Sequence, residues 1–77
     1  MERREEELIQ RYAEHDAELR ALYVEHQAFK LQLDEYRSKL YLTNTEEIEM
    51  KRLQKMKLAS KDRMMELINR HQHEHVN

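Results

Sequence analysis

The chain has 77 residues, 39% charged and 39% hydrophobic, with no Gly, Pro, Cys or Trp. That is one domain at most, against a usual size of ~100–150 residues. The missing residues exclude turn-rich β folds, glycine-rich phosphate loops, disulfides, thiolate nucleophiles and cysteine zinc sites. Fourteen Lys/Arg against sixteen Asp/Glu leave a formal charge of −2, so no whole-chain field steers it to nucleic acid or anionic lipid. No apolar run approaches the ~20 residues of a membrane span, and no signal-peptide core follows Met1. The expectation is an all-α, charge-covered, cytoplasmic protein.

The first element is read from hydrophobic period. Leu8, Tyr12, His15, Leu19, Leu22, His26, Phe29, Leu33, Tyr36 and Leu40 recur at alternating steps of four and three. This is a heptad seam, and it predicts a helix over about 3–41. A turn over about 41–44 follows. Thr43 and Glu46 stand at capping-box spacing, which predicts a helix start just after Thr43. The second helix then spans about 44–72, and 72–77 is expected to fray. Its seam, Met50, Leu53, Lys57, Ser60, Met64, Leu67 and His71, is polar in the middle, with Met56 and Ile68 widening it.

Two helices joined by so short a link lie antiparallel. In such a hairpin the numbers of facing residues sum to roughly 86. Leu33 then meets Leu53, Phe29 meets Lys57 and Met56, His26 meets Ser60, Leu22 meets Met64, Leu19 meets Leu67, and His15 meets His71. The expected fold is therefore an antiparallel, coiled-coil-like hairpin. Its packing residues are Leu19, Leu22, His26, Phe29, Leu33, Met50, Leu53, Met64 and Leu67. Acid-before-base pairs such as Glu7–Arg11, Asp16–Arg20, Glu35–Lys39, Glu47–Lys51 and Glu66–Arg70 are expected to support each helix.

At LYVEHQAFKLQL and LTNTEEIEMKRLQKMKLASKDRMMEL the chain resembles the YdcH-like family of small bacterial proteins of unknown function. The resemblance covers about residues 16–68. It rests on Leu22, Tyr23, Glu25 and His26 in the first helix, and on Lys57, Leu58, Ser60, Lys61 and Asp62 in the second. Ser60 stands where that family usually has an aliphatic residue. The resemblance implies a break near Asp16 and a separate short N-terminal helix. The unbroken heptad instead favours one continuous helix, with Asp16 as the place where a kink would fall, since Ala17 gives no steric reason to stop. The family carries no assigned activity.

A lone hairpin has a small core, and apolar residues remain off the seam. Ala13, Ala17, Ala21, Val24, Ala28 and Leu31 line the back of the first helix, and Leu58 and Met65 add a patch on the second. Val24, Leu31, Leu58 and Met65 are thus the candidate partner surface. The partner is another helical protein or a second copy, the simplest product being a two-fold four-helix bundle.

Two chemical alternatives are legible. Lys51, Arg52, Lys55, Lys57, Lys61 and Arg63 put six cations against one acid in 51–63, a pattern found in nucleic-acid binders. No stacking aromatics interleave with them, and the favoured reading is a solvated helix whose cations face an acidic helix. His71 and His75 share a helical face at i,i+4, and His15 or Glu74 could complete a divalent-metal site. A polar helix end accounts for the same histidines. No catalytic residue, cofactor or dedicated metal site is expected, and the reading is of a non-enzymatic protein acting through helix–helix contact.

Overall fold

The computed structural model describes residues 2–75, and of His75 the backbone alone. Among the described residues there are three helices and no strand: α1 (Arg3–Ala13), α2 (Ala17–Arg37) and α3 (Asn44–His75). They form a rod of 52 × 19 × 17 Å.

The start of α3 follows from local chemistry. The Glu46 backbone N–H donates to Thr43 Oγ1 at 3.1 Å, and the Thr43 N–H donates to Glu46 Oε1 at 3.1 Å. Both orphan donors are satisfied within four residues. The second Glu46 oxygen holds the Lys39 ammonium, tying the end of α2 to the start of α3. Lys39 also lies 5.4 Å from the Tyr36 ring centroid. Thr43→Ala removes the cap, and we expect it to cost about 1 kcal/mol in urea unfolding. A loss below about 0.3 kcal/mol would show that tertiary packing alone sets the start of α3.

α3 packs along α2 with contacts in reverse chain order. Glu18 meets Arg63, His26 meets Ser60, Leu33 lies in one cluster with Leu53, and Lys39 meets Glu46. Two apolar clusters result, one of Ile9, Leu19, Met64, Leu67 and Ile68, the other of Phe29, Leu33 and Leu53. Leu22 packs half-buried against the first and Met50 against the second. Buried His26 and Ser60 fall between them in chain position.

Three expectations are corrected. The first helix is not continuous over 3–41: it breaks at Glu14–Asp16, as the alternative of a short N-terminal helix ending near Asp16 had it. Asp16 Oδ1 accepts the Leu19 N–H at 3.1 Å, so it N-caps α2. The Arg20 guanidinium reaches back to Ala13 O (3.1 and 3.2 Å) and Glu14 O (3.3 Å), closing the end of α1. With both sides of the break capped, α1 turns onto the other two helices and buries Ile9 completely, while His15 is left exposed.

Second, α2 ends at Arg37 instead of about 41. Ser38 Oγ donates to Glu35 O at 2.7 Å and occupies a carbonyl of the last turn. Leu40, expected in the seam, is 92% exposed. Third, α3 continues through 72–75, where fraying was expected; Val76 and Asn77 lie outside the described residues.

The charge pairs differ as well. None of the five expected i,i+4 pairs forms. Arg3–Glu7, Arg37–Asp34, Arg52–Glu49 and Arg63–Glu66 pair within helices, while Lys61–Glu5, Arg63–Glu18 and Lys39–Glu46 pair between elements.

Candidate functional site

The three helices meet where α1 ends, α2 begins and α3 nears its C-terminus. Asp16 uses its two oxygens separately: Oδ1 caps α2, and Oδ2 accepts from His71 Nε2 at 2.8 Å. A carboxylate can only accept, so Nε2 carries the proton. The His71 hydrogen bond, joined by the Leu19 N–H, holds the Asp16 carboxyl below the usual carboxylate range. The His71 ring also stacks on Tyr12 of α1, with centroids 5.1 Å apart and planes 5° from parallel. One imidazole therefore joins α3 to both other helices.

His26 lies deeper. Its Nδ1 is 3.1 Å from Ser60 Oγ and 3.3 Å from Lys57 O, while Ser60 Oγ donates to Lys57 O at 2.7 Å. A carbonyl only accepts, so the Nδ1 proton is shared between Lys57 O and the Ser60 lone pair. Burial pushes the His26 pKa below its ordinary value, the Lys57 carbonyl acting in the opposite sense. The direction of these bonds matters chemically. The Ser60 proton points at a carbonyl and His26 is the donor, which is the reverse of a base activating a nucleophile. The pair is a polar tie between two helices.

The nucleic-acid candidates do not converge. Lys61 lies 3.6 Å from Glu5, Arg63 lies 2.8 Å from Glu18, and Arg52 lies 3.9 Å from Glu49. Lys57 is half-buried at the seam. Lys51 and Lys55 stay exposed beside Ile48 and Met56, without an ion pair among the described residues. Two of the six cations are thus met by acids of neighbouring helices, Lys61 by Glu5 and Arg63 by Glu18, and one, Arg52, by an acid of its own helix.

The metal candidates are not assembled either. His71 is bound to Asp16, His15 is exposed in the break, and the His75 side chain lies outside the described part. Among the described residues no group of three His, Asp or Glu side chains could hold a metal ion.

The candidate partner surface divides. Val24 and Leu31 are 63% and 66% exposed and sit one heptad apart on the back of α2. Leu58 is 54% exposed, on the back of α3. Each is two residues from a seam position, a rotation of about 200°, so the two patches look outward from opposite edges of the pair. Met65 is half-buried against the Ile9 cluster. At the α2–α3 link, Leu40 and Tyr41 are 92% and 87% exposed, and Ile48 stands near them in chain position.

Ile9 was missed as a core residue, and Asp16, named as the place of a kink or break, was not expected to meet His71. Ile9 sits one position off the seam carried by Leu8, and only a rotation of α1 brings it inward. Asp16 did carry a signal, an N-cap residue followed by Ala17 and by acidic Glu18 in the first turn. Among known proteins, no family model, no curated protein and no solved structure matches the chain. Among the described residues no helix is long and apolar enough to cross a membrane.

Proposed function

We propose that the chain is a non-enzymatic helix-docking module: an antiparallel α2–α3 hairpin, latched by α1, that acts by burying an outer helix face against another helix. The observation behind this reading is the pattern of exposure. Buried His26 and Ser60 are hydrogen-bonded to each other across the seam, whereas Val24 and Leu31 repeat on one outward face with nothing covering them. Large apolar residues repeated at helical spacing on a small protein are a docking face more readily than a tolerated accident. A cytoplasmic setting and a bacterial source remain part of the same reading, the latter through the YdcH-like resemblance alone.

Sedimentation of the untagged protein from about 1 to 200 μM, with and without zinc, tests it; this range brackets weak helix association. A concentration-dependent dimer independent of metal, abolished by Val24→Glu with Leu31→Glu, is the expected result. A monomer throughout, unaltered by the double substitution and capturing no helical protein, removes the reading. Association that needs zinc would favour the histidines instead.

A further inference from the structure

The outer face of α2 has a finer pattern than two exposed residues. Ala17, Ala21, Val24, Ala28, Leu31 and Glu35 recur at steps of four and three, and all are exposed. This is a second heptad seam, about 200° around the helix from the one that meets α3. We propose that it pairs with the same seam of a second copy, antiparallel, about a two-fold axis near residue 26. The inference rests on the reading of the chain as a helix-docking module and names its partner and register.

Size complementarity selects the direction. In the antiparallel register Leu31 of each copy faces Ala21 of the other, and Val24 faces Ala28. Every layer then holds one large and one small side chain, so the helix spacing stays constant. A parallel pair would alternate Leu–Leu and Val–Val layers with Ala–Ala layers, and would set Glu35 against its own copy in the seam. The antiparallel pair instead brings Glu35 to the start of the partner's α2, where the helix dipole favours an anion.

Charge supports the same register. Arg20 flanks the seam and binds Ala13 O and Glu14 O through Nε and Nη2, leaving Nη1 open. The two-fold sets Arg20 opposite Asp34 of the second copy, twice. Asp34 has only a 4.0 Å contact to Arg37 within its own chain. Gln27 meets its own copy near the axis. One feature opposes association: Glu25 also meets its own copy. A single helix pair buries less than the ~1,600 Å² of a standard interface, so micromolar affinity is expected.

The chain contains no cysteine, so single cysteines report register directly. A disulfide needs Cα atoms within ~7 Å. Gln27→Cys should therefore form a covalent dimer under mild oxidation. Leu31→Cys should not, because its two copies lie about 15 Å apart along the axis. Glu25→Gln should tighten the dimer about 1.5- to twofold, the effect of relieving one like-charge pair. The opposite cross-linking pattern would establish a parallel pair and overturn the inference. A sedimenting dimer in which neither cysteine cross-links would overturn the register while leaving the docking reading intact. A monomer at 200 μM would overturn self-association outright.

Discussion

Leu19→Ala is expected to remove about 3 kcal/mol, within the 2–5 kcal/mol range for emptying a fully buried leucine site. Leu19 is completely buried and lies in the cluster that joins all three helices, with Ile9, Met64 and Leu67. A chain of this size has a total stability on the order of 4–10 kcal/mol. The loss is therefore a large fraction of the whole, and urea unfolding should show a midpoint lowered by a third or more. Rod-like packing limits how far the site can collapse, since few side chains lie within reach to fill it. Leu31→Ala is the matched control. At protein concentrations below association it should stay within about 0.5 kcal/mol of the parent, because an exposed side chain leaves no cavity. Equal effects at the two positions would contradict the assignment of inner and outer faces.

Asp16→Ala is expected to free α1 and leave α2 and α3 together. It deletes the α2 cap and the hydrogen bond that positions His71 against Tyr12. Together these are worth about 2–3 kcal/mol. Hydrogen exchange should rise across 3–13 while the Leu33–Leu53 region keeps its protection. Asp16→Asn keeps a capping oxygen and should show a smaller effect. Uniform loss of protection along the chain would mean that α1 and the other helices unfold as one unit.

Acid separates the two histidine sites. Asp16 titrates lower in the folded chain than in the unfolded one. Its contribution is therefore complete above about pH 4, the unfolded value, and is lost as pH falls through the lower folded value. His26 is also lowered, by burial, but here folding favours the neutral form. The unfolded chain takes up that proton first, so stability falls as pH drops from about 6.5 toward the folded value. Thermal unfolding followed from pH 8 to 3 should show a His26 step, absent in His26→Gln, and a lower Asp16 step. The second step should coincide with release of α1.

Much of the fold could be read without coordinates because its signals are local or periodic. The capping box needs only Thr43 and Glu46, three residues apart, and its two hydrogen bonds form as the spacing predicts. The facing of His26 and Ser60 follows from a short link and a steady repeat. The break at Asp16 was harder. Ala17 permits either outcome, and a heptad that runs through a break looks the same as one that runs through a helix. The exposed Leu40 misled for a similar reason: periodicity continues past the point where Ser38 ends the helix.

The histidines show the same division. His15 and His71 were expected to meet across the seam, yet Asp16 is the residue that reaches His71. One residue of offset is a turn of about 100°, and it exchanges an imidazole for a carboxylate. That exchange converts a candidate metal pair into a structural junction. The six cations of 51–63 likewise read as one basic run in the chain, whereas in the fold Lys61 and Arg63 pair with α1 and α2, Arg52 pairs within α3, and Lys51 and Lys55 stay exposed.

The bare sequence determined that the chain is helical, where α3 begins and which residues of 19–33 and 53–67 face each other. Those properties depend on composition, on spacing and on hydrogen bonds between residues a few positions apart. Only the tertiary structure decided that the first helix breaks, that Ile9 goes inside, that charges pair between helices, and that Val24 and Leu31 stay uncovered. Each of these depends on whether a distant partner, Arg20 for Ala13 or His71 for Asp16, offers a better contact than the next turn of helix. The absence of Gly and Pro shows the division most clearly: it made helix the default everywhere, and the one break inside the expected first helix is made by side-chain caps alone.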